Sequence, residues 1–280
     1  MIRNIQGLDH LVINVGEALT PVGALYRKLG FTLTPRGVHS MGTINHLMIF
    51  RDTYMELLGA PVGFDSMGIS QLLRLPRGLV ACALTTRDAR AAYREFANAG
   101  IAATEPEEFT RPVDLPEGSR LASFCVTRLE PELTKGMAFF LCQHYTPELV
   151  WRSEWQNHAN GVHSILALTI VVDEPATALE PYRDLFGMDR VSLHGASAVA
   201  RIGQVSTHLV TLTDFVGRYG VASLGEATSD YMAGVTLAVE SIDATERYFS
   251  AAGVAFSVDG DRVIVPAREA GGVILEFRSG

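Results

Sequence analysis

The sequence predicts an α+β fold made of four copies of one unit, each in the order strand, helix, strand, strand, strand. Two observations support this prediction. Strand-like apolar runs, each followed by a helical segment, recur about every 70 to 85 residues. Each helical segment also ends at a glycine, which adopts the left-handed conformation that terminates a helix without a side-chain clash. These glycines are Gly30, Gly100, Gly187 and Gly253.

The elements of each unit follow from local periodicity and from helix start and stop signals. The first unit is predicted to contain a strand at 8–15, a helix at 17–29 and strands at 32–35, 44–50 and 54–58. The second is predicted to contain a strand at 79–85, a helix at 88–99 and strands at 121–128 and 137–143. The third is predicted to contain a strand at 165–172, a helix at 175–186 and strands at 198–202 and 208–212. The fourth is predicted to contain a strand at 234–239, a helix at 243–252 and strands at 255–258, 262–265 and 272–277.

A polar and aromatic segment at 145–161 fits no strand pattern and separates the second unit from the third. We expect a linker there, with one domain of two units at 1–150 and a second domain of two units at 161–280. Trp151 and Trp155 are expected to be at least partly buried between the halves, because exposed indoles close together favour aggregation. A lid over a pocket is the alternative role for this segment.

Composition limits the classes of function. The chain has 280 residues, of which 48% are hydrophobic, so it has ample material for a folded core. Its net charge of −8 without a basic block argues against nucleic-acid binding. The longest apolar run is far too short for a membrane span, and no export signal is apparent. Three cysteines without CxxC spacing are typical of reduced thiols, so we expect a cytoplasmic protein.

Three segments resemble a known superfamily: GLDHLVINV near the N-terminus, GTINHLMIF followed by YMELLG at 42–59, and GGVILEF at 271–277. With the repeated βαβββ unit, they resemble the vicinal oxygen chelate superfamily, which includes glyoxalase I, extradiol dioxygenases and antibiotic-resistance proteins. Within it, they look most like the glyoxalase-like domain group. The resemblance implies two cup-shaped, mixed-sheet domains, each made of paired units, and a divalent metal held inside a cup. It leaves a homodimer open.

On this resemblance, His10 on the first strand and Glu56 on the fourth are expected to bind the metal. Alternation along a strand can turn both side chains inward. Imidazole and carboxylate ligands suit zinc, iron, manganese, nickel or cobalt. Glu276, which matches Glu56 in the fourth unit, is the third candidate ligand. A buried carboxylate on an apolar strand needs a metal, a cation, a hydrogen-bond donor or a proton.

The candidate catalytic residues are Glu56, His46 and His39. Asn45 and His46 are adjacent on a strand, so only one of them can enter the cup. We expect His46 there, because imidazole offers more chemistry. His39 lies in a polar loop and is expected near the rim of the cavity. Three methionines are expected only to pack: Met41, Met48 and Met67.

Two functions of a working site stay open, beside a purely structural or interaction module whose sites have decayed. One is a metal-dependent lyase, isomerase or dioxygenase, in which the metal chelates vicinal oxygens of a small-molecule substrate. The other is a metal-free protein that binds or sequesters a small apolar compound, as the antibiotic-binding members of the superfamily do. The second unit offers no histidine or glutamate where the first has His10 and Glu56. Three protein ligands are therefore reached only if Cys82, Cys142 or Gln143 contributes.

Overall fold

The computed structural model describes residues 1–64, 70–116, 118–130, 133–134, 137–220 and 230–280. Its fold is the predicted α+β architecture, with four units that each run strand, helix, three strands. Met67, which was expected to pack, lies outside the described residues. No helix among the described residues is both long and apolar enough to cross a membrane.

The first half contains two units. The first unit consists of β1 (Gly7–Gly16), α1 (Leu19–Lys28), β2 (Gly37–Val38), β3 (Ile44–Ile49) and β4 (Tyr54–Gly59). The second consists of β5 (Gly78–Thr85), α2 (Ala89–Asn98), β6 (Glu107–Leu115), β7 (Gly118–Arg128) and β8 (Ala138–His144). The sequence analysis missed β6, because its outward positions carry glutamate, aspartate and a proline that disguise the alternation.

The second half repeats the pattern. The third unit consists of β9 (Val162–Val171), α3 (Pro175–Ala178), α4 (Glu180–Phe186), β10 (Val191–His194), β11 (Ser197–Ile202) and β12 (Val205–Val210). An unpredicted helix, α5 (Leu212–Tyr219), follows it. The fourth unit consists of β13 (Tyr231–Val239), α6 (Ile242–Ala252), β14 (Ser257–Asp259), β15 (Arg262–Val265) and β16 (Ile274–Ser279). The helix predicted at 175–186 is split in two before Pro181, which cannot donate a backbone hydrogen bond.

Strand pairing is the same in every unit. The first strand of each unit pairs in parallel with the last, as β1 does with β4 and β13 with β16. Units then join through their first strands, β1 with β5 and β9 with β13, both antiparallel. A single bridge between Leu79 and Met232 connects the sheets of the two halves. The result is a mixed sheet, and each half of it is built from two units.

The two faces of the first-half sheet have different environments. Leu11, Ile13 and Met55 point toward the helices and join the largest apolar cluster, which includes helix residues from all four units. Val12 and Glu56 lie on the opposite face, directly paired across β1 and β4. The helical side is therefore a core shared by both halves, and the other side is free to line a cavity.

The 145–161 segment packs mainly on the first half. Trp155 is buried and Trp151 half-buried, as expected, but their apolar neighbours come from the first-half sheet rather than from both halves. His158 accepts a hydrogen bond from the Thr32 amide and donates one to the Ile49 carbonyl, at 3.0 and 2.9 Å. Asn160 contacts both halves. Its backbone carbonyl accepts a hydrogen bond from Thr245 Oγ1 in the second half, and its side-chain amide donates one to the Leu29 carbonyl in the first.

Candidate functional site

A cavity of about 140 Å³ lies on the free face of the first-half sheet. That volume suits a ligand of the size of an aromatic ring. Its walls are largely apolar. They include the aliphatic side chains of Leu47 and Leu72 and the aromatic rings of Phe109, Phe124 and Phe140. Its polar lining is concentrated on side chains of the first unit and of β6: His10, His39, Asn45, Glu56 and Arg111.

A β-bulge in β1 places two consecutive side chains in contact. Pairing with β5 shifts from Leu8–Leu84 to His10–Ala83, so Asp9 is an extra residue without a partner of its own. In a regular strand, Asp9 and His10 would point to opposite faces. Here His10 Nδ1 donates to Asp9 Oδ1 at 2.6 Å. This contact fixes the orientation of the imidazole and turns its other nitrogen, Nε2, toward the cavity.

Asp9 is a buried carboxylate with several donors. It is 1% exposed and also accepts hydrogen bonds from His144 Nε2 at 3.1 Å and Thr85 Oγ1 at 3.4 Å. Burial by itself raises the pKa of Asp9. The charge of His144 and the hydrogen bonds from His10 and His144 outweigh that effect and hold the pKa well below its usual range. Asp9 therefore stays ionised and is a firm acceptor for both imidazoles.

Glu56 faces His10 across the floor of the cavity. Its Oε2 lies 3.7 Å from His10 Nε2, and its Oε1 lies 3.9 Å from His39 Nε2. Asn45 Nδ2 donates to Oε1 at 2.6 Å. Oε2 and His10 Nε2 are thus two buried electron-pair donors that face each other at a distance too long for a hydrogen bond between them. Such a pair needs a cation or a proton between its members.

Asn45, and not His46, enters the cavity, so the expectation for His46 is wrong in its placement. The β3–β4 hairpin pairs Asn45 with Leu58 and Leu47 with Glu56, which puts the odd-numbered residues of β3 on the cavity face. His46 points to the helical side, where its Nδ1 donates to the Thr34 carbonyl at 2.8 Å. Burial lowers the pKa of His46, and its hydrogen bond to the backbone opposes that shift.

His39 lines the cavity, as expected from its loop. Its Nδ1 lies 2.7 Å from Thr43 Oγ1, and its Nε2 lies 3.3 Å from Asn45 Nδ2. Burial lowers the pKa of His39 to about 4, against the opposing charge of Glu56. The ring is therefore neutral near pH 7, and with Nδ1–H directed at the hydroxyl its Nε2 is an acceptor.

Both units of the first half contribute aromatic rings that pack against His10. The Tyr54 ring stacks on His10 with centroids 4.2 Å apart, and the Phe140 ring meets His10 edge-on at 5.4 Å. The residues of β8 that line the cavity are Ala138, Phe140 and Cys142. None of these three is a carboxylate or an imidazole, and the imidazole that ends β8, His144, donates to Asp9 behind His10.

Arg111 is a buried cation that the sequence analysis did not identify. It lies on β6, is 3% exposed and lines the cavity. Burial lowers the pKa of its guanidinium, while the charges of Tyr54 and Glu56 oppose the shift. The signal was present in the sequence: Phe109, Arg111, Val113 and Leu115 alternate as one inward face.

Glu276 lies in the second half and is not brought together with His10 and Glu56. It is 1% exposed, and Arg218 Nη2 donates to both its oxygens at 2.9 and 2.8 Å. Tyr219 Oη donates to Oε2 at 3.0 Å, and Arg262 Nη1 lies 3.4 Å from the same atom. The second-half carboxylate is thus already neutralised by arginine, in contrast to Glu56.

A second group of metal-ligating side chains lies beside the cavity. Ligand atoms of Asp9, Cys142 and His144 all lie within 4.8 Å of one another. Burial, followed by the charge of Asp9, raises the pKa of the Cys142 thiol well above its usual value. His144 Nε2 already donates to Asp9 Oδ1. The group is therefore a hydrogen-bonded support behind His10, and its three side chains are a second set with the spacing of metal ligands.

Fold and site together define a class of protein. Four βαβββ units pair through their first strands, and the first half encloses a cavity with imidazole and carboxylate on the first and last strands of one unit, which is the arrangement of the vicinal oxygen chelate superfamily. The sequence profile of the family described as "Glyoxalase-like domain" matches residues 8–186, more than half of the chain. The chain belongs to that family.

Solved structures with the same fold extend the comparison, and no curated protein matches the sequence. A hypothetical protein from Staphylococcus aureus superposes with a TM-score of 0.66 at 13% identity, over 98% of this chain and 99% of that one. A mutant of 4-hydroxymandelate synthase from Streptomyces coelicolor gives 0.60 at 12% identity, over 98% and 92%. A xylose isomerase-like TIM barrel/4-hydroxyphenylpyruvate dioxygenase fusion protein gives 0.57 at 15% identity, over 99% of this chain and 49% of that one. At these identities the likeness establishes the fold alone.

Proposed function

We propose that the first-half cavity is the active site of an enzyme that acts on a small molecule with vicinal oxygen atoms. His10 Nε2 and Glu56 Oε2 would hold a divalent metal there. The observation that supports this most is the pair of buried donor atoms 3.7 Å apart at the cavity floor. Imidazole nitrogen and carboxylate oxygen suit zinc and the other first-row divalent metals.

The surroundings of His10 also fit a metal ligand. Ligating histidines usually donate their second ring nitrogen to a carboxylate or a carbonyl, which fixes the tautomer and raises the basicity of the ligating nitrogen. Asp9 fills that role for His10 at 2.6 Å. Asn45 holds Oε1 of Glu56 and thereby leaves Oε2 directed at His10. When bound, the metal supplies a Lewis acid that polarises the substrate oxygens.

The remaining polar residues have roles that do not depend on the metal. His39 is neutral and has Nε2 beside Glu56, so it can accept a proton from a substrate carbon or hydroxyl. The apolar walls exclude water from the reacting atoms and strengthen every electrostatic contact inside the cavity. This combination supports proton transfer next to polarised oxygens, which is the step that lyases and isomerases of this kind require.

Metal content tests the proposal. Purified protein is expected to contain about one divalent ion per chain by elemental analysis, and Glu56→Gln is expected to lose it. His46→Gln is the matched control, because His46 lies near Glu56 in sequence but on the other face of the sheet. Equal metal content in Glu56→Gln and native protein would refute the assignment.

A metal-free binding protein is the second candidate, and one observation favours it. Phe140 contacts His10 from β8, where a further ligand would complete the set. An aromatic cavity without a metal suits sequestration of a ring compound. Under this alternative, native protein has no stoichiometric metal and Glu56→Gln leaves ligand affinity unchanged.

A further inference from the structure

Arg111 has a guanidinium that is buried inside the cavity wall and incompletely paired. The residue is 3% exposed, and no described residue accepts a hydrogen bond from its Nη2 atom. A buried charge without full pairing is costly to fold, and buried polar atoms in native proteins nearly always have partners. An anionic group of a ligand would supply the missing acceptor. The fork of a guanidinium matches a carboxylate with two parallel hydrogen bonds.

The wall beside Arg111 is built for a ring. Phe109 lies two residues earlier on the same face of β6 and lines the cavity, and its ring stacks on Phe124 with centroids 5.1 Å apart and planes 20° apart. Such a pair offers an apolar surface on which a planar ring can lie. One guanidinium matches a single negative charge. A doubly charged phosphate is disfavoured, because Glu56 lines the same cavity.

The second cavity-lining arginine is already paired. Arg128 ends the neighbouring strand β7 and also lines the cavity, and its Nη1 donates to Glu107 Oε2 at 2.9 Å. It is therefore a natural control for Arg111. Asn45 Oδ1 also has no hydrogen-bond partner among the described residues, although it is buried. A hydroxyl on the ligand could donate to it.

We propose that Arg111 binds the carboxylate of a small ring-bearing acid, whose ring lies against Phe109 and Phe124. The proposal rests on the proposed function in that it assigns a substrate class to the same cavity. It does not depend on a metal, because the carboxylate is held by the protein's own guanidinium. The reacting oxygens of the ligand would then lie toward His10 and Glu56, which line the same cavity as Arg111.

Isothermal titration calorimetry with two probes tests this assignment. Benzoate carries the carboxylate on a ring, and benzamide has nearly the same shape without the charge. Native protein is expected to bind benzoate at least about tenfold more tightly than benzamide. The titrations are run before and after dialysis against EDTA, because benzoate could also bind a metal directly. A preference that persists after EDTA comes from the protein.

Variants locate the source of the preference. Arg111→Met is expected to abolish it, and Arg128→Met is expected to retain it. Equal affinity of EDTA-treated native protein for the two probes would overturn the proposal without any variant. A preference that survives in Arg111→Met, or that disappears equally in Arg128→Met, would also overturn it. Absence of a metal from the native protein would instead refute only the metal assignment made above.

Discussion

Asp9→Asn isolates the hydrogen bonds that hold His10 in place. The carboxylate accepts from His10 Nδ1 and His144 Nε2, and hydrogen bonds to a charged acceptor each contribute about 1.5–3 kcal/mol. Both imidazoles donate to the same oxygen, Oδ1, so the amide oxygen of asparagine can take its place, but as a neutral acceptor it holds each of them less strongly, by about 1–1.5 kcal/mol. We therefore expect a loss of about 2–3 kcal/mol in the free energy of unfolding. For a chain of this length, that corresponds to a fall in Tm of roughly 4–6 °C.

Differential scanning calorimetry at pH 7, with urea unfolding as a second method, measures this loss. Thr85→Val is the control, since it removes only the contact of 3.4 Å to the same carboxylate. It should change the free energy of unfolding by less than about 1 kcal/mol. Metal affinity should also fall, by about 10- to 100-fold, because a neutral acceptor fixes the His10 ring less firmly and lowers the basicity of its ligating nitrogen. An Asp9→Asn protein with native Tm and native metal affinity would refute this account of the bulge.

Two further predictions concern other parts of the first half. Gly37→Ala adds a Cβ 2.3 Å from Asn45 Oδ1 and 2.8 Å from Arg111 Nη1, so both side chains must shift. We expect calorimetry to show weaker benzoate binding, and urea unfolding to show a stability loss of about 1–3 kcal/mol. Gly217→Ala, where the added atom meets nothing within 4 Å, should leave benzoate binding unchanged and should not lower stability, since alanine suits the interior of α5 better than glycine does. The folded protein needs neutral His158, whose pKa burial lowers, because its ring accepts one backbone hydrogen bond and donates another. Unfolded chains then bind more protons below about pH 6.5, so stability should fall with acid through that range. His158→Gln should make this part of the urea-unfolding pH profile less steep, while His39 and His46, whose pKa values burial also lowers, keep their contributions. An unchanged slope would contradict the assignment.

The unit architecture could be predicted because it depends on local signals. The four glycines that end the predicted helices all have positive φ, between 62° and 98°. At Gly30 the constraint is also steric, since an added Cβ would lie 2.7 Å from the Tyr248 ring and 2.9 Å from the Asn160 amide. The alternation on β1 and β4 placed His10 and Glu56 on one face for the same reason, because strand periodicity is a local property.

The rest of the site depends on how the strands pair with one another, and a single sequence gives only weak information about that pairing. Strict alternation placed Asp9 on the side opposite His10, and only the bulge against β5 brings the two together. The choice between Asn45 and His46 depended on the register of the β3–β4 hairpin, which a count across its short turn would have indicated. His144 lies just outside the strand predicted at 137–143, although it ends β8 two residues after Cys142 on the same face.

Cobalt(II) binding tests the central claim most directly, because its absorption spectrum reports the ligand type. Metal-depleted protein with added cobalt is expected to show the bands of a nitrogen and oxygen site, without thiolate-to-metal charge transfer. The spectrum should disappear in Glu56→Gln and remain in Cys142→Ser. A charge-transfer band that is lost in Cys142→Ser would place the metal on Asp9, Cys142 and His144 instead and would contradict the assignment to His10 and Glu56.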